Sequence, residues 1–259
     1  TLSGFMASRT TTELQKVTVV LFVIPKYSEF ECLMRVSTGL DSVESLAFSP
    51  DGSTFVAGMS ADYSYFFGQL EKLQIRNTRS GNYLQMFPID DQLVWAVAFS
   101  SDGRTVLSGT ATKKVQLWSV ETGQCLMTLT GHKGAVTHVA YSPDGDTLLS
   151  SARDGTLKLW SIKLGALVKT FVADRRWVVA AAFSPDGKYL LSGGLDKTMK
   201  LWSIDSDVRV NAFTGHDDFV SAVAFGADGR TALSGSWDHS MKLWSIERGT
   251  CLKTFTGHS

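Results

Sequence analysis

Cysteine is scarce in this chain: Cys32, Cys125 and Cys251 are its only three among 259 residues. An odd count this low cannot describe a disulfide framework, and no Cys-x-x-Cys pair is present, so a reducing, cytoplasmic compartment is expected. Net charge is also missing. Twenty-five basic residues face 25 acidic ones, which leaves no global field to draw in nucleic acid or an anionic membrane surface, although local patches stay open. Long apolar runs are absent as well. The run from Val17 to Ile24 is one strand long, well short of the roughly 20 residues of a spanning helix. Met6 is followed by no long apolar stretch of the kind a signal peptide needs. The chain opens on Thr1 and not on Met, as a fragment or processed product would. What is plentiful is hydrophobic residues, 44% at a mean hydropathy near zero; that suits a soluble globular protein with a full core, in one domain or two.

Self-similarity organises the rest. Trp118, Trp160, Trp202 and Trp244 are each 42 residues apart, and Phe99, Tyr141, Phe183 and Phe225 share the interval. So do the turns Ser101–Gly103, Pro143–Gly145, Pro185–Gly187 and Ala227–Gly229, all of which carry Asp-Gly. One unit reads as four short strands: 135–141, 147–151, 156–160 and 167–171. Short strands with turn residues at even intervals indicate an all-β array, and four strands in a period of this length indicate a propeller blade.

First-strand segments recur near Val43, Val94, Val136, Val178 and Val220; fourth-strand segments recur near Cys32, Tyr83, Cys125, Leu167, Arg209 and Cys251. Phe48 and Phe99 are 51 residues apart in place of 42, so nine extra residues fall between them, at about Ser60 to Leu70. The expected organisation is a single propeller over 1–259. It comprises a degenerate N-terminal blade over 1–37 that lacks its first strand, a blade with the insertion over 38–88, and regular repeats over 89–259. About six blades either close into a ring or form a piece of a longer propeller, whose open edge would invite association.

The segment from Gly131–His132 to Leu159–Trp160, repeated from Gly215–His216 to Leu243–Trp244, resembles the WD40 family, and its regular repeats resemble those common in bacterial members. The dipeptide that names the family is Trp-Ser here, in all four strong repeats. The resemblance implies a hydrogen-bonded tetrad within each blade: His132, Ser150, Asp154 and Trp160 in one, His216, Ser234, Asp238 and Trp244 in another. Buried imidazole and carboxylate are tolerable only when paired, and each member supplies the next one's partner. The set thins toward the N-terminus. Asp174 replaces His beside Ser192, Asp196 and Trp202; Asp90 and Thr112 replace His and Asp beside Ser108 and Trp118; Gly39, Ala57, Leu70 and Arg76 retain none of it. Weaker rigidity is expected there unless other contacts substitute.

A His-Ser-Asp set invites a catalytic-triad reading, but this one recurs at the repeat period and ends on an indole, which argues for scaffolding. No catalytic residue, metal site or cofactor is expected. His132, His216 and His258 share one repeat position and form no cluster. The three cysteines also share a position and read as small core hydrophobes.

The resemblance further implies that partners bind the face built by loops entering the first strand and loops joining the second and third. Candidate residues there are Leu93, Trp95, Arg153, Arg175, Arg176, Trp177, Leu195, Phe219, Trp237 and His239. Large aromatics are not needed to fill a blade at such positions, and Trp and Arg are enriched among interface hot spots; packing against neighbouring loops is the competing explanation. The insertion adds Tyr63, Tyr65, Phe66 and Phe67, which either cover the weak blade or present an apolar patch. The function expected is a non-catalytic scaffold for proteins or peptides, or for another domain of a larger assembly. The alternatives are a charged ligand or nucleic acid held by the arginine sector, against which Asp90, Asp91, Asp217 and Asp218 weigh, and last a propeller enzyme.

Overall fold

The computed structural model describes residues 18–22, 32–37, 42–60, 73–90 and 93–257. These are all strand, turn and loop. β1 (Thr18–Phe22) and β2 (Cys32–Ser37) pair antiparallel as a two-stranded sheet. Five four-stranded antiparallel sheets follow, each with its strands in chain order. The first full blade is β3 (Ser42–Phe48), β4 (Thr54–Ser60), β5 (Leu73–Asn77) and β6 (Tyr83–Met86). The second is β7 (Val94–Phe99), β8 (Thr105–Thr110), β9 (Val115–Ser119) and β10 (Cys125–Leu129). The third is β11 (Val136–Tyr141), β12 (Thr147–Ala152), β13 (Thr156–Ser161) and β14 (Ala166–Val172). The fourth is β15 (Val178–Phe183), β16 (Tyr189–Gly194), β17 (Met199–Ser203) and β18 (Arg209–Phe213). The fifth is β19 (Val220–Phe225), β20 (Thr231–Ser236), β21 (Ser240–Ser245) and β22 (Cys251–Thr256). The first and fourth strands fall where the sequence pattern predicts them.

Local chemistry explains why each hairpin forms where it does. At the Asp-Gly turn of the third blade, Ser142 Oγ donates to Asp144 Oδ1, and Asp146 N donates to the same oxygen. Gly145, at φ 80°, donates its N–H to the Ser142 carbonyl. A left-handed residue is needed at that step, which glycine supplies without a Cβ penalty. Ser49, Ser100 and Ser184 repeat the arrangement with Asp51, Asp102 and Asp186.

Blades pack in sequence order through their inner strands, β3 on β7, β7 on β11, β11 on β15 and β15 on β19. The wedge between blades is the repeat tryptophan. Trp118, Trp202 and Trp244 set their indoles against Phe87, Phe171 and Phe213 at the end of the preceding blade's outer strand, with centroids 5.7, 5.8 and 5.5 Å apart. Trp160 packs with Leu107, Leu117 and Leu129 in the same way. The approach is close enough that small residues are required in the second strands. A Cβ on Gly109 or Gly193 would come within 2.6 Å of Val136 or Val220 of the next blade.

The outward face of the fifth blade is different. A Cβ on Gly235 would meet only Ala222 of its own blade. Phe255, the repeat equivalent of Phe171 and Phe213, is 36% exposed where those are 3% and 1%. Among the described residues, no packing comparable to that between successive blades joins β19 to β3.

The expectation that the cysteines are core hydrophobes is wrong for two of them: Cys125 and Cys251 are exposed free thiols. Each opens the outermost strand of its blade, where one side of the sheet has no neighbour. Their thiols turn back to Thr128 and Thr254 on the same strand. Cys32 has no side chain among the described residues.

Burial at one repeat position therefore carries two energies. Phe171→Ala should cost about 3–5 kcal/mol and Phe255→Ala under about 1 kcal/mol in urea unfolding of this chain, since the cost follows burial and the cavity left behind. Equal losses at the two positions would mean that the fifth blade's outward face is covered in solution.

Candidate interaction face

A backbone hydrogen bond repeated in four blades builds one rim of the array. Ala111 N donates to the Leu93 carbonyl, Arg153 N to Ala135, Leu195 N to Trp177 and Trp237 N to Phe219, at 2.9–3.1 Å. Each bond ties the turn between the second and third strands to the residue entering the first. The two loop types therefore lie side by side, and the rim residues of all four blades occupy equivalent places.

A β-bulge in each inner strand aims one further side chain. The pairing between first and second strands slips after Val94, Val136, Val178 and Val220, so that Trp95, Thr137, Val179 and Ser221 are the extra residues. A bulge takes a residue out of the regular in-out alternation and re-aims its side chain. For Trp95 the result is a contact with another blade. The Arg153 guanidinium carbon lies 3.8 Å from the Trp95 ring centroid and 4.0 Å from that of Trp177. The guanidinium is thus held between two indoles of other blades, an Arg153 bracket. The bracket spans the second, third and fourth blades. Trp177 keeps 39% of its surface exposed, and the Arg153 side chain has no hydrogen bond or ion pair among the described residues. Desolvation beside the rings lowers its pKa.

Phe219 and Trp237 form a second aromatic pair, with centroids 5.9 Å apart and Trp237 64% exposed. Leu93 and Leu195 are half-buried; Arg175, Arg176 and His239 are exposed. Packing therefore accounts for part of the aromatic surface on this rim and leaves the rest open. Lys113, Lys197 and His239 hold left-handed backbones at φ 74°, 69° and 65° in equivalent tight turns, where the third blade has Gly155. Exposed Lys113 and Lys133 join the rim, and Lys197 Nζ reaches across to the Asp217 carbonyl at 2.7 Å. Aromatic character does not reveal these lysines; Lys113 and Lys197 share the repeat position of Gly155, which is the signal that places them on the rim. Asp90 and Asp217 are exposed and Asp218 is half-buried, while Asp91 lies outside the described residues. So do Tyr63, Tyr65, Phe66 and Phe67 of the insertion.

Beneath the rim lie the polar networks. His132 Nε2 and Ser150 Oγ are 2.7 Å apart, His132 Nδ1 and Asp154 Oδ2 3.0 Å, and Trp160 Nε1 donates to Ser150 Oγ at 2.8 Å. His216, Ser234, Asp238 and Trp244 repeat this at 2.7, 2.7 and 2.8 Å. A carboxylate only accepts, so Nδ1 carries the proton and Nε2 accepts from the serine hydroxyl. Asp154 also accepts from Lys133 N, Thr156 N and Thr156 Oγ1. Burial alone would raise its pKa, but the bonds from His132, Thr156 and the Lys133 N–H outweigh it and hold the carboxyl well below its usual range. Asp238 is held low in the same way, burial opposing bonds from Ser240, the Asp217 N–H and His216. The distances are those of a catalytic triad, yet Ser150 Oγ and Ser234 Oγ are fully buried and each is already held by an indole. A substrate carbonyl has no route to either.

Elsewhere the network is rebuilt from other parts. In the fourth blade Asp174 accepts from Arg176 N and Asp196 N, and Trp202 keeps its bond to Ser192 at 2.9 Å. The second blade keeps Trp118 bonded to Ser108 at 2.9 Å. In the first full blade Arg76 fills the tryptophan position, its guanidinium 3.7 Å from the Tyr83 ring and bonded to Gln74 and the Gly81 carbonyl. Among the described residues no group of His, Cys, Asp or Glu could hold a metal ion, and no helix is long and apolar enough to cross a membrane.

Comparison with known proteins agrees with this architecture. The family described as IFT122 first beta-propeller matches residues 42–259. The chain belongs to that family. A more distant similarity, 27% identity over 113 residues, links it to the periodic tryptophan protein 2 homolog of Dictyostelium discoideum. That match takes in 44% of this chain and 11% of the other protein, so the chain spans a small part of that relative's length. Both findings support a WD40 propeller of the IFT122 type, in a class of domains that generally bind other proteins.

The buried ionisable groups of this propeller give its stability an acid limb. In β11, His138 stands where the other regular blades have Ala96, Ala180 and Ala222. Part of the residue's surface stays accessible, yet burial holds its imidazole down to about 4. An unfolded histidine titrates near ~6.5, so the unfolded chain binds the extra proton between those values and stability falls as pH drops through that window. His138→Ala should flatten the urea midpoint over that window. Below ~4, where unfolded carboxyls protonate, Asp154 and Asp238 should add a second, steeper loss, which Asp154→Asn should reduce. A midpoint of the wild type that is constant between pH 6.5 and 4 would refute the first part.

Proposed function

We propose that the chain is a single propeller domain that acts as a non-catalytic scaffold, holding partner proteins or peptides on the rim that carries Trp95, Arg153, Trp177, Phe219 and Trp237. One observation carries the reading: the two most exposed aromatic side chains of this rim, Trp177 and Trp237, depart from the repeat. Their repeat equivalents are Leu93, Ala135 and the half-buried Phe219 for Trp177, and Ala111, Arg153 and Leu195 for Trp237; tryptophan recurs at neither position. A residue needed for blade packing recurs in every blade; one that does not recur and stays exposed answers to something outside the fold. Arg175, Arg176, Leu195 and His239 form the polar and apolar surround of that centre, as an interface rim requires.

The absence of catalysis follows from the same logic. The groups with triad spacing recur and are buried, while among the described residues the exposed rim offers no nucleophile paired with a base. An intracellular, reducing setting suits the exposed thiols of Cys125 and Cys251, which oxidising surroundings would tend to couple or oxidise.

The test is capture of partners from the source organism with the wild-type chain and with Trp177→Ala/Trp237→Ala. Removing two central aromatics should weaken the capture by at least about a hundredfold if each contributes as an ordinary hot spot, ~2 kcal/mol. Urea unfolding of the double variant should show a loss of no more than about 2 kcal/mol, because Trp237 is largely solvated and Trp177 is only partly covered. Unchanged capture would place the binding surface elsewhere.

A further inference from the structure

We infer that the Arg153 bracket is a carboxylate-binding site and that it takes an acidic residue of a partner peptide, an inference that rests on the rim being the binding face. Arginine in a folded protein normally spends its planar fork on acceptors. Here Trp95 and Trp177 each place a ring within 4.0 Å of the guanidinium carbon, and the N–H groups meet no acceptor among the described residues. Stacking against two rings removes most of the rotamer freedom that a solvent-exposed arginine keeps, so the ordering cost of binding is met in advance. Arg153 is exposed, so its N–H donors face solvent and are free to match the two oxygens of a carboxylate in a bidentate pair. The indole edges on either side wall that pair against water and strengthen it.

The surrounding charge selects among anions. Lys133, Arg175 and Arg176 lie on the same two blades of the rim as Arg153 and are exposed. With Lys113 on the second blade and Lys197 on the fourth, the basic residues reach three blades, but acidic residues interrupt them at both ends: Asp90 at the second blade, Asp217 and Asp218 at the fifth. A nucleic-acid strand needs a continuous basic track for its evenly spaced phosphates. One fixed fork with a few mobile cations around it suits one or two carboxylates on a peptide. Apolar neighbours of the acidic residue would lie against the indoles and toward Phe219 and Trp237.

Fluorescence anisotropy with the 1–259 chain tests this. The probes are a fluorescein-labelled peptide alternating Glu with Gly, its Gln counterpart, and a labelled oligouridylate. The Glu peptide should bind at least about tenfold more tightly than the Gln peptide, and Arg153→Gln should abolish that difference. Arg153→Lys keeps the charge and loses the fork and the stack, so it should recover only part of it. Trp177→Leu, which keeps Arg153 but removes one side of the bracket, should weaken the Glu peptide alone. Intrinsic tryptophan fluorescence and urea unfolding verify that each variant is folded.

Equal binding of the Glu and Gln peptides, full activity of Arg153→Lys, or preferential binding of the oligouridylate would each overturn the carboxylate assignment. The outcome is separable from that of the rim reading. Partner capture lost in Trp177→Ala/Trp237→Ala without Glu-peptide binding would leave the scaffold face standing and remove this site. Glu-peptide binding that depends on Arg153, with partner capture unaffected by the double variant, would do the reverse.

Discussion

The bond from a tryptophan N–H to a serine hydroxyl, buried between the second and third strands, is what the rest of this propeller depends on. It is present in all four blades that carry the tryptophan, at 2.8–2.9 Å. An indole is the only side chain here large enough to fill the wedge between blades, but it brings a donor that cannot be left unpaired in the core. Leaving it so would cost about 1–3 kcal/mol. The serine oxygen removes that cost and fixes the ring's orientation. The indole is then held where it must lie to meet Phe87, Leu129, Phe171 or Phe213 of the blade before. Strand pairing within a blade and packing between blades are thereby set by one side chain.

The remaining tetrad members are more dispensable than that bond. Histidine and aspartate complete it only in the third and fifth blades. In the fourth, Asp174 takes over by accepting the Asp196 N–H; in the second, Thr110 Oγ1 and Thr112 Oγ1 are 3.1 Å apart in the same region. In the third, fourth and fifth blades the carboxylate accepts N–H groups of the tight turn, groups that otherwise need another partner. The requirement is a local acceptor of suitable reach, and several residue types meet it. The N-terminal weakening read from the sequence is thus a change of parts. Arg76, stacked on Tyr83 and bonded to Gln74, shows the limit of substitution: the tryptophan itself is gone and the blade still forms.

Legibility in the sequence followed periodicity. Strand positions, turns, tryptophan wedges and the rim residues all recur at a fixed interval, and recurrence can be counted. Three things could not be read that way. The exposure of Cys125 and Cys251 depends on the fourth strand being the outer edge of its blade, which a repeat position alone does not state. The bulges at Trp95, Thr137, Val179 and Ser221 arise from pairing register, and register is a relation between two strands. The meeting of Trp95, Arg153 and Trp177 joins residues from three blades, each of which looks like a separate departure from its own repeat. Lone departures are visible in a sequence; their convergence is a product of how successive blades pack.

That distinction also separates two kinds of exposed apolar surface in this molecule. Phe255 and Met241 are exposed on the fifth blade, but they conform to the repeat, and their equivalents are buried in other blades. Their exposure is a property of position along the array, and the surface they offer is the one each blade offers the next. Trp237 and Trp177 are exposed at positions where the other blades carry Ala, Leu, Arg or Phe, so their open surface is not one that each blade offers the next. A partner recognised through the first kind of surface would have to imitate a blade, with a wedge residue and an inner-strand valine set against Gly235. A partner recognised through the second needs only side chains that suit two indoles, a phenyl ring and an arginine. Symmetry of the core makes the regular blades alike to a ligand, so recognition through the proposed rim would depend on the residues that break it, and there those are Trp95, Arg153, Trp177 and Trp237.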